Sequence, residues 1–171
     1  MISNPSGLYK PLSAIKAGTS TQNTIALIQD HDFDLTVSAN TNYLITWNYK
    51  FRLTGATSQG FQSQLLIPSR NGDSFGIATR HGYIGTTVNT TVLGSVDPTH
   101  LSLVTAGSGS TGNYESGIVH GYVRIGASGG TLSILWGAFS VADTVTFGGG
   151  TEDLFGSYNV GCGSLILLPL P

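Results

Sequence analysis

The sequence predicts an all-β protein, an antiparallel β-sandwich of jelly-roll or Greek-key type with an extended N-terminal arm. Three observations carry that expectation. Apolar residues recur with a period of two, turn-forming residues return every eight to twelve positions, and no window of eleven residues shows the three-and-four spacing of a helix. The composition agrees: 24 Gly, 19 Ser and 20 Thr occupy 63 of 171 positions, as many tight connections and wet sheet faces require. Leu, Ile, Val and Phe total 47 residues, enough for one real core at this length.

Residues 1 to 20 read as an extended arm. Pro5, Pro11 and two glycines separate the isolated apolar residues Leu8, Tyr9, Leu12 and Ile15. Such a segment has no core of its own and orders only against another surface. The domain proper spans 21–171. Phe33, Leu35 and Val37 mark a short strand, and Ser38 to Asn42 a turn. Then follows the clearest element of the chain, with Tyr43, Ile45, Trp47, Tyr49, Phe51 and Leu53 on one face and mostly polar residues on the other.

Phe61 to Ile67 is a third strand that ends at Pro68. The Asn71-Gly72 pair suits a tight turn, and Phe75 and Ile77 begin the next strand, so residues 61 to 79 read as a hairpin. Gly82 to Ser95 is rich in Thr, Gly and Asn and leaves its strand boundaries open. Leu101 and Leu103 mark a strand, and Ala106 to Asn113 a surface loop. Ile118 to Ile125 alternates with both faces partly apolar. Thr131 to Trp136 and the Val145–Phe147 pair are further strands. Ser164 to Leu168 has too little polar alternation for an exposed strand and should be central or covered. The long connections 82–99 and 147–163 favour a Greek-key or jelly-roll order over a meander.

Charge is scarce. Seven Lys and Arg and nine Asp and Glu give a net charge of −2, and the basic residues are scattered, which argues against nucleic-acid binding. No apolar run reaches the ~20 residues of a membrane helix. The lone Cys162 makes no internal disulfide and no Cys-based zinc site, and it reads as a small buried hydrophobe. With no leader-like apolar start, the expectation is a protein made in a reducing cytoplasm.

Catalytic chemistry finds little support. Glu115 and Glu152 stand in Gly-rich contexts with nothing to pair them. The segment Asp30-His31-Asp32-Phe33-Asp34 lacks the Gly and closing Glu of a familiar calcium loop, and an acidic cap accounts for it more simply. The histidines 31, 81, 100 and 120 are dispersed, with His120 reading as an inward or interface residue. The Gly-x-Ser-x-Gly spacings at 72–76 and 126–130 are followed by no helical pattern, so neither reads as a nucleophile elbow, and no phosphate-binding loop is present. The expectation is no enzyme, no cofactor and no metal.

The stretch from Glu115 to Trp136, with its Gly-Thr-Leu-Ser-Ile-Leu-Trp run at 130–136, is followed by Ala142-Asp-Thr-Val-Thr146 and Gly163-Ser-Leu-Ile-Leu167. Together with Asp34 to Asn40 and the aromatic strand from Tyr43, this pattern resembles a jelly-roll domain of tailed-bacteriophage virion proteins. The resemblance covers about residues 23 to 168 and departs from the pattern at 147–163 and in the added arm. It implies a virion component, often trimeric. A lone domain behind a short arm suits a homotrimeric capsid decoration (cement) protein on the outer shell, with Leu8, Tyr9, Leu12 and Ile15 as anchors on the major capsid protein. Two alternatives stay open. One is a tail-fibre or receptor-binding tip that contacts host glycan through loops such as 106–113. The other is a carbohydrate-binding sandwich with Trp47 or Trp136 as a stacking platform.

Overall fold

A computed structural model of the chain describes residues 10–55, 61–71, 75–81, 89–93, 100–105, 114–148 and 163–170. Among these there is no helix, and every strand pairing is antiparallel. The strands are β1 (Leu12–Ile15), β2 (Ser20–Gln22), β3 (Ile28–Val37), β4 (Asn42–Gly55), β5 (Phe61–Leu66) and β6 (Phe75–His81). The rest are β7 (Asn89–Leu93), β8 (His100–Thr105), β9 (Tyr114–Arg124), β10 (Gly130–Ala138), β11 (Asp143–Phe147) and β12 (Gly163–Pro169).

A small sheet runs β3-β10-β5-β8, and the larger sheet contains the run β4-β9-β6-β7. Following the chain from β3 to β10, the strands pass back and forth between the sheets, with β6 and β7 as neighbours in the larger one. That is the two-Greek-key winding of an eight-stranded jelly roll. The remaining four strands widen the larger sheet on one side. β4 shares one edge between β12, which pairs along residues 43–49, and β11, which pairs along 51–55. β1 lies outside β12, and β2 lies outside β11.

β4 is long because nothing in it breaks a strand and its inward face is all large and apolar. All six residues from Tyr43 to Leu53 on that face are buried, as the alternation predicts. They meet Phe33, Leu35 and Val37 of β3, Phe61 and Leu65 of β5, and Leu132, Ile134 and Trp136 of β10. Aromatic rings knit the two layers. Phe61 stacks on Phe51 at 4.7 Å between centroids and lies 5.2 Å from Phe147, and Trp47 stacks on Tyr49 at 4.7 Å. Such pairs add about 0.5–1.5 kcal/mol each beyond area burial.

The corner between β3 and β4 carries the chain from one sheet to the other. Asn40 takes φ 53°, its N–H donates to Gly126 O (2.8 Å), and the Ser38 N–H donates to the Tyr43 hydroxyl (3.1 Å). Asn tolerates this left-handed conformation better than most residues.

One expectation changes. Residues 61 to 79 are not a hairpin: β5 pairs with β10 and β8 in the small sheet, whereas β6 pairs with β7 and β9 in the larger one. The chain therefore changes layers after Pro68, where Arg70 bridges Ile125. Part of the segment read as an arm is paired in the larger sheet. Residues 12–15 form β1, with Leu12 opposite Leu167 and Ile15 opposite Ser164, and β2 begins at Ser20. Residues 1–9, the loop 106–113, most of 147–163 and Cys162 lie outside the described residues.

Candidate interaction face

The outward surface of the larger sheet is built by the alternate residues of β1, β12, β4 and β9. From β4 come Leu44, Thr46, Asn48, Lys50 and Arg52; from β12, Ser164, Ile166 and Leu168. β9 adds Ile118, His120, Tyr122 and Arg124, and β1 adds Ser13 and Ile15. The register brings the apolar ones together. Leu44 stands opposite Leu168 on one side and Tyr122 on the other, Thr46 opposite Ile166, and Ser13 opposite Ile166 in turn.

An open antiparallel sheet ordinarily turns a polar face to water. Here Ile15 is 63 % exposed, Leu44 45 %, and Ile166 and Leu168 39 % each. The polar residues among them are neutral and pair with each other across strands. Asn48 Nδ2 donates to Ser164 Oγ at 3.0 Å, and Thr46 Oγ1 lies 3.3 Å from His120 Nδ1. Charges stand at the margins: Lys50 and Arg52 toward one end of β4, and Arg124 opposite Asn42 at the other. The described outward side chains of these four strands include no Asp or Glu. Contiguous exposed apolar surface with charge kept to its rim is the signature of an interaction site.

The four anchor residues named from the sequence separate. Leu8 and Tyr9 lie outside the described residues. Leu12 is half-buried and packs, with Ala14, against this domain's own core. Ile15 faces outward and adjoins the stripe of Ile166, Leu168 and Leu44. Sequence reading placed Leu44 on the outer face of its strand, where it is, but missed Ile166 and Leu168 as surface residues. The available signal was their position: each alternates with a core residue, so an apolar side chain there has to face outward. His120 likewise points outward on β9 and is exposed.

A second apolar area lies at one end of the sandwich, with Ile25, Ile28, Phe139 and Val141 exposed. The Ala138 N–H donates to Thr24 O at 3.0 Å, which sets the two segments side by side.

The acidic segment on β3 divides as well. Four residues, His31 to Asp34, stand opposite the single Ser133 of β10, a bulge that changes which residues point inward. Asp30 is buried, whereas His31 Nδ1 and Asp34 Oδ2 pair at 2.8 Å on the surface. The hydrogen bond and charge of Asp34 raise the His31 imidazole above its ordinary value. For Asp34, partial burial works upward, but hydrogen bonds from Ser133, His31 and Gln29 outweigh it and hold the carboxyl below the ordinary value. Neither tryptophan is a platform: Trp47 and Trp136 are buried in the core.

No family model matches the chain, and no curated protein matches it. Among solved structures it is similar to the VP2 subviral particle of infectious bursal disease virus, at 13% identity and a TM-score of 0.28, over 95% of this chain and 40% of that one. Structures of the Gx and Gt strains of that virus match at 13% identity with TM-scores of 0.22 and 0.23. The first covers 94% of this chain and 39% of the other, the second 95% and 41%. The chain thus spans about two-fifths of the length of the structures it matches. Likenesses at this level do not carry a function.

Proposed function

We propose that the chain is a non-enzymatic structural protein of a bacteriophage virion, a homotrimeric decoration protein that binds the outside of the assembled capsid and stabilises it. The observation that supports the reading most directly is the uncharged apolar stripe of Ile15, Leu44, Ile166 and Leu168 on the outer sheet face. Taking such a side chain from full exposure to full burial is worth about 1.5–3 kcal/mol, and roughly half of that remains to be gained at each of these partly covered residues, so a stripe of them favours a permanent partner over water. The jelly-roll winding and the resemblance of residues 23 to 168 to phage virion domains support the class. The partners are other copies of this chain and the major capsid protein.

β1 ends the strand order of the larger sheet. An edge strand presents main-chain groups that another chain can pair with, and residues 1–9 lead directly into it with Leu8 and Tyr9. Binding of this kind stabilises a shell by mass action. A subunit clamped to its neighbours leaves only when several contacts break together.

Native mass measurement of the purified protein, combined with a copy count in particles that contain it, tests the reading. A trimer present in hundreds of copies supports it. A copy number of a few dozen or fewer refers the protein to the tail, where a receptor-binding tip is the reading that remains. Deleting residues 1–9 leaves β1 and its contacts intact and should give a folded trimer that no longer binds capsids. Full affinity in that truncation excludes the arm as the anchor.

A further inference from the structure

Lys16 leaves β1 and turns inward at the gap between the end of β11 and the start of β12. Its N–H donates to Gly163 O at 3.0 Å. Room for the side chain comes from Gly148, which has φ +73° and where any Cβ would lie 2.7 Å from Lys16 Cδ. The ammonium passes over the Phe147 ring, 5.4 Å from its centroid, and reaches the small sheet. There it stands 2.7 Å from Asp30 Oδ2, 3.3 Å from Asp32 Oδ2 and 3.0 Å from Ser20 Oγ. Lys16 is 2% exposed and Asp30 6%.

A buried ion pair recovers its desolvation cost only with excellent geometry, and a fully buried lysine is rare. The second carboxylate gives this one a further capacity. An amine, a carboxyl carbon and a proton carrier, the three groups an amide condensation needs, meet at one nitrogen. The bulge in β3 makes this possible by turning Asp30 inward while Asp32 stays partly open to solvent.

We propose that Lys16 and Asp30 condense to an intramolecular isopeptide bond, with Asp32 carrying the protons. Asp32 Oδ2 accepts a proton from the ammonium, and the freed amine adds to Cγ of Asp30. The backbone N–H of Asp32 donates to Asp30 Oδ1 at 3.2 Å, so a donor already stands where negative charge develops. Asp32 delivers its proton to Oδ2, accepts a second from the nitrogen and delivers that one as well. The Cγ–Oδ2 bond breaks as the Cγ–Nζ bond completes, and Oδ2 leaves as water. Of the three ammonium hydrogens, one remains on the amide and two depart with the oxygen. No oxidant, reductant or cofactor takes part.

Fixed positions substitute for high reactant concentration, and a water-poor site protects the product from hydrolysis. The bond ties β1 of the larger sheet to β3 of the small one. In a chain whose single cysteine has no internal partner, it does what a disulfide does elsewhere.

Intact mass spectrometry of the full chain separates this bond from a plain ion pair. The wild type should be lighter than its sequence by one water, while Lys16→Arg and Asp32→Asn should show the full sequence mass. Trypsin should fail to cut after Lys16 in the wild type, and fragment ions should confine the loss to residues 16–30. Full sequence mass in folded wild type overturns the proposal. So does a water loss that persists in Lys16→Arg or is reversed by hydroxylamine, the behaviour of an aspartyl succinimide.

Discussion

Tyr49 on β4 lies flat over Gly117, its direct cross-strand partner on β9, and occupies the space a Cβ at Gly117 would need. The phenol ring covers the glycine, and its own stack on Trp47 at 4.7 Å prevents it from swinging aside. Aromatic cover of this kind compensates a residue that otherwise weakens a strand. Gly117→Ala should therefore destabilise the fold by about 1–3 kcal/mol, the range for overpacking a filled core. Gly18 has nothing within 4 Å of where its Cβ would be. Gly18→Ala is the control, and it should leave the denaturant midpoint unchanged or slightly raised. Equal losses in both variants would show that steric room at Gly117 is not the cause.

Phe61 of the small sheet packs among the aromatic rings of the larger one, as Phe33 and Trp136 also do. It lies within 6.4 Å of Trp47 and Trp136 and closer to Tyr49, Phe51 and Phe147. Phe61→Ala removes a large, fully buried side chain from among these rings and should cost about 3–5 kcal/mol. Phe61→Leu, which keeps much of the volume, should cost clearly less. Denaturant unfolding followed by the fluorescence of the two buried tryptophans measures both.

How far the fold was legible depends on what alternation encodes. A period of two tells which face of a strand is buried, and every inward residue of β4 from Tyr43 to Leu53 obeys it. It does not name the strand alongside, so β5 and β6 looked like a hairpin although they belong to different sheets. β1 was hidden because it is four residues long and only half-covered, which leaves Leu12 and Ile15 looking like isolated apolar residues. The Lys16–Asp30 contact was invisible for another reason. The bulge at residues 31–34 changes the phase of β3, so counting back by twos from Phe33 places Asp30 on the wrong face.

The surface pair of His31 and Asp34 sets a pH dependence. The imidazole is raised in the folded protein above its ordinary 6.5, so its contribution to stability is complete below that value. That contribution is lost as pH rises through the raised folded value. The Asp34 carboxyl is held below its ordinary 3.8, so its share is present above that value and lost as pH falls through the lowered one. NMR titration should show His31 above the ordinary histidine value, and Asp34→Asn should bring it back. Because the pair is exposed, added salt should shrink the shift. An unchanged His31 titration in Asp34→Asn would remove the pair as its cause.

The outer stripe makes the sharpest separation between folding and assembly. Leu44 and Ile166 sit on neighbouring strands, two residues out of step and so on the same face, with their side chains partly in solvent and their backbones in the sheet ladder. Lysine at either position has room and disturbs no core contact, so Leu44→Lys and Ile166→Lys should change stability by no more than about 0.5 kcal/mol. Each nonetheless places a charge in the middle of an uncharged apolar area, where desolvation on docking would be costly. Sedimentation or native mass spectrometry should show the assembly shifted to monomer, or particle binding lost, while the melting temperature holds. A lysine on the exposed end formed by Phe139 and Val141 should leave assembly untouched if the sheet face is the interface. If instead Val141→Lys disperses the assembly and Leu44→Lys does not, the end of the sandwich and not its outer sheet makes the contact.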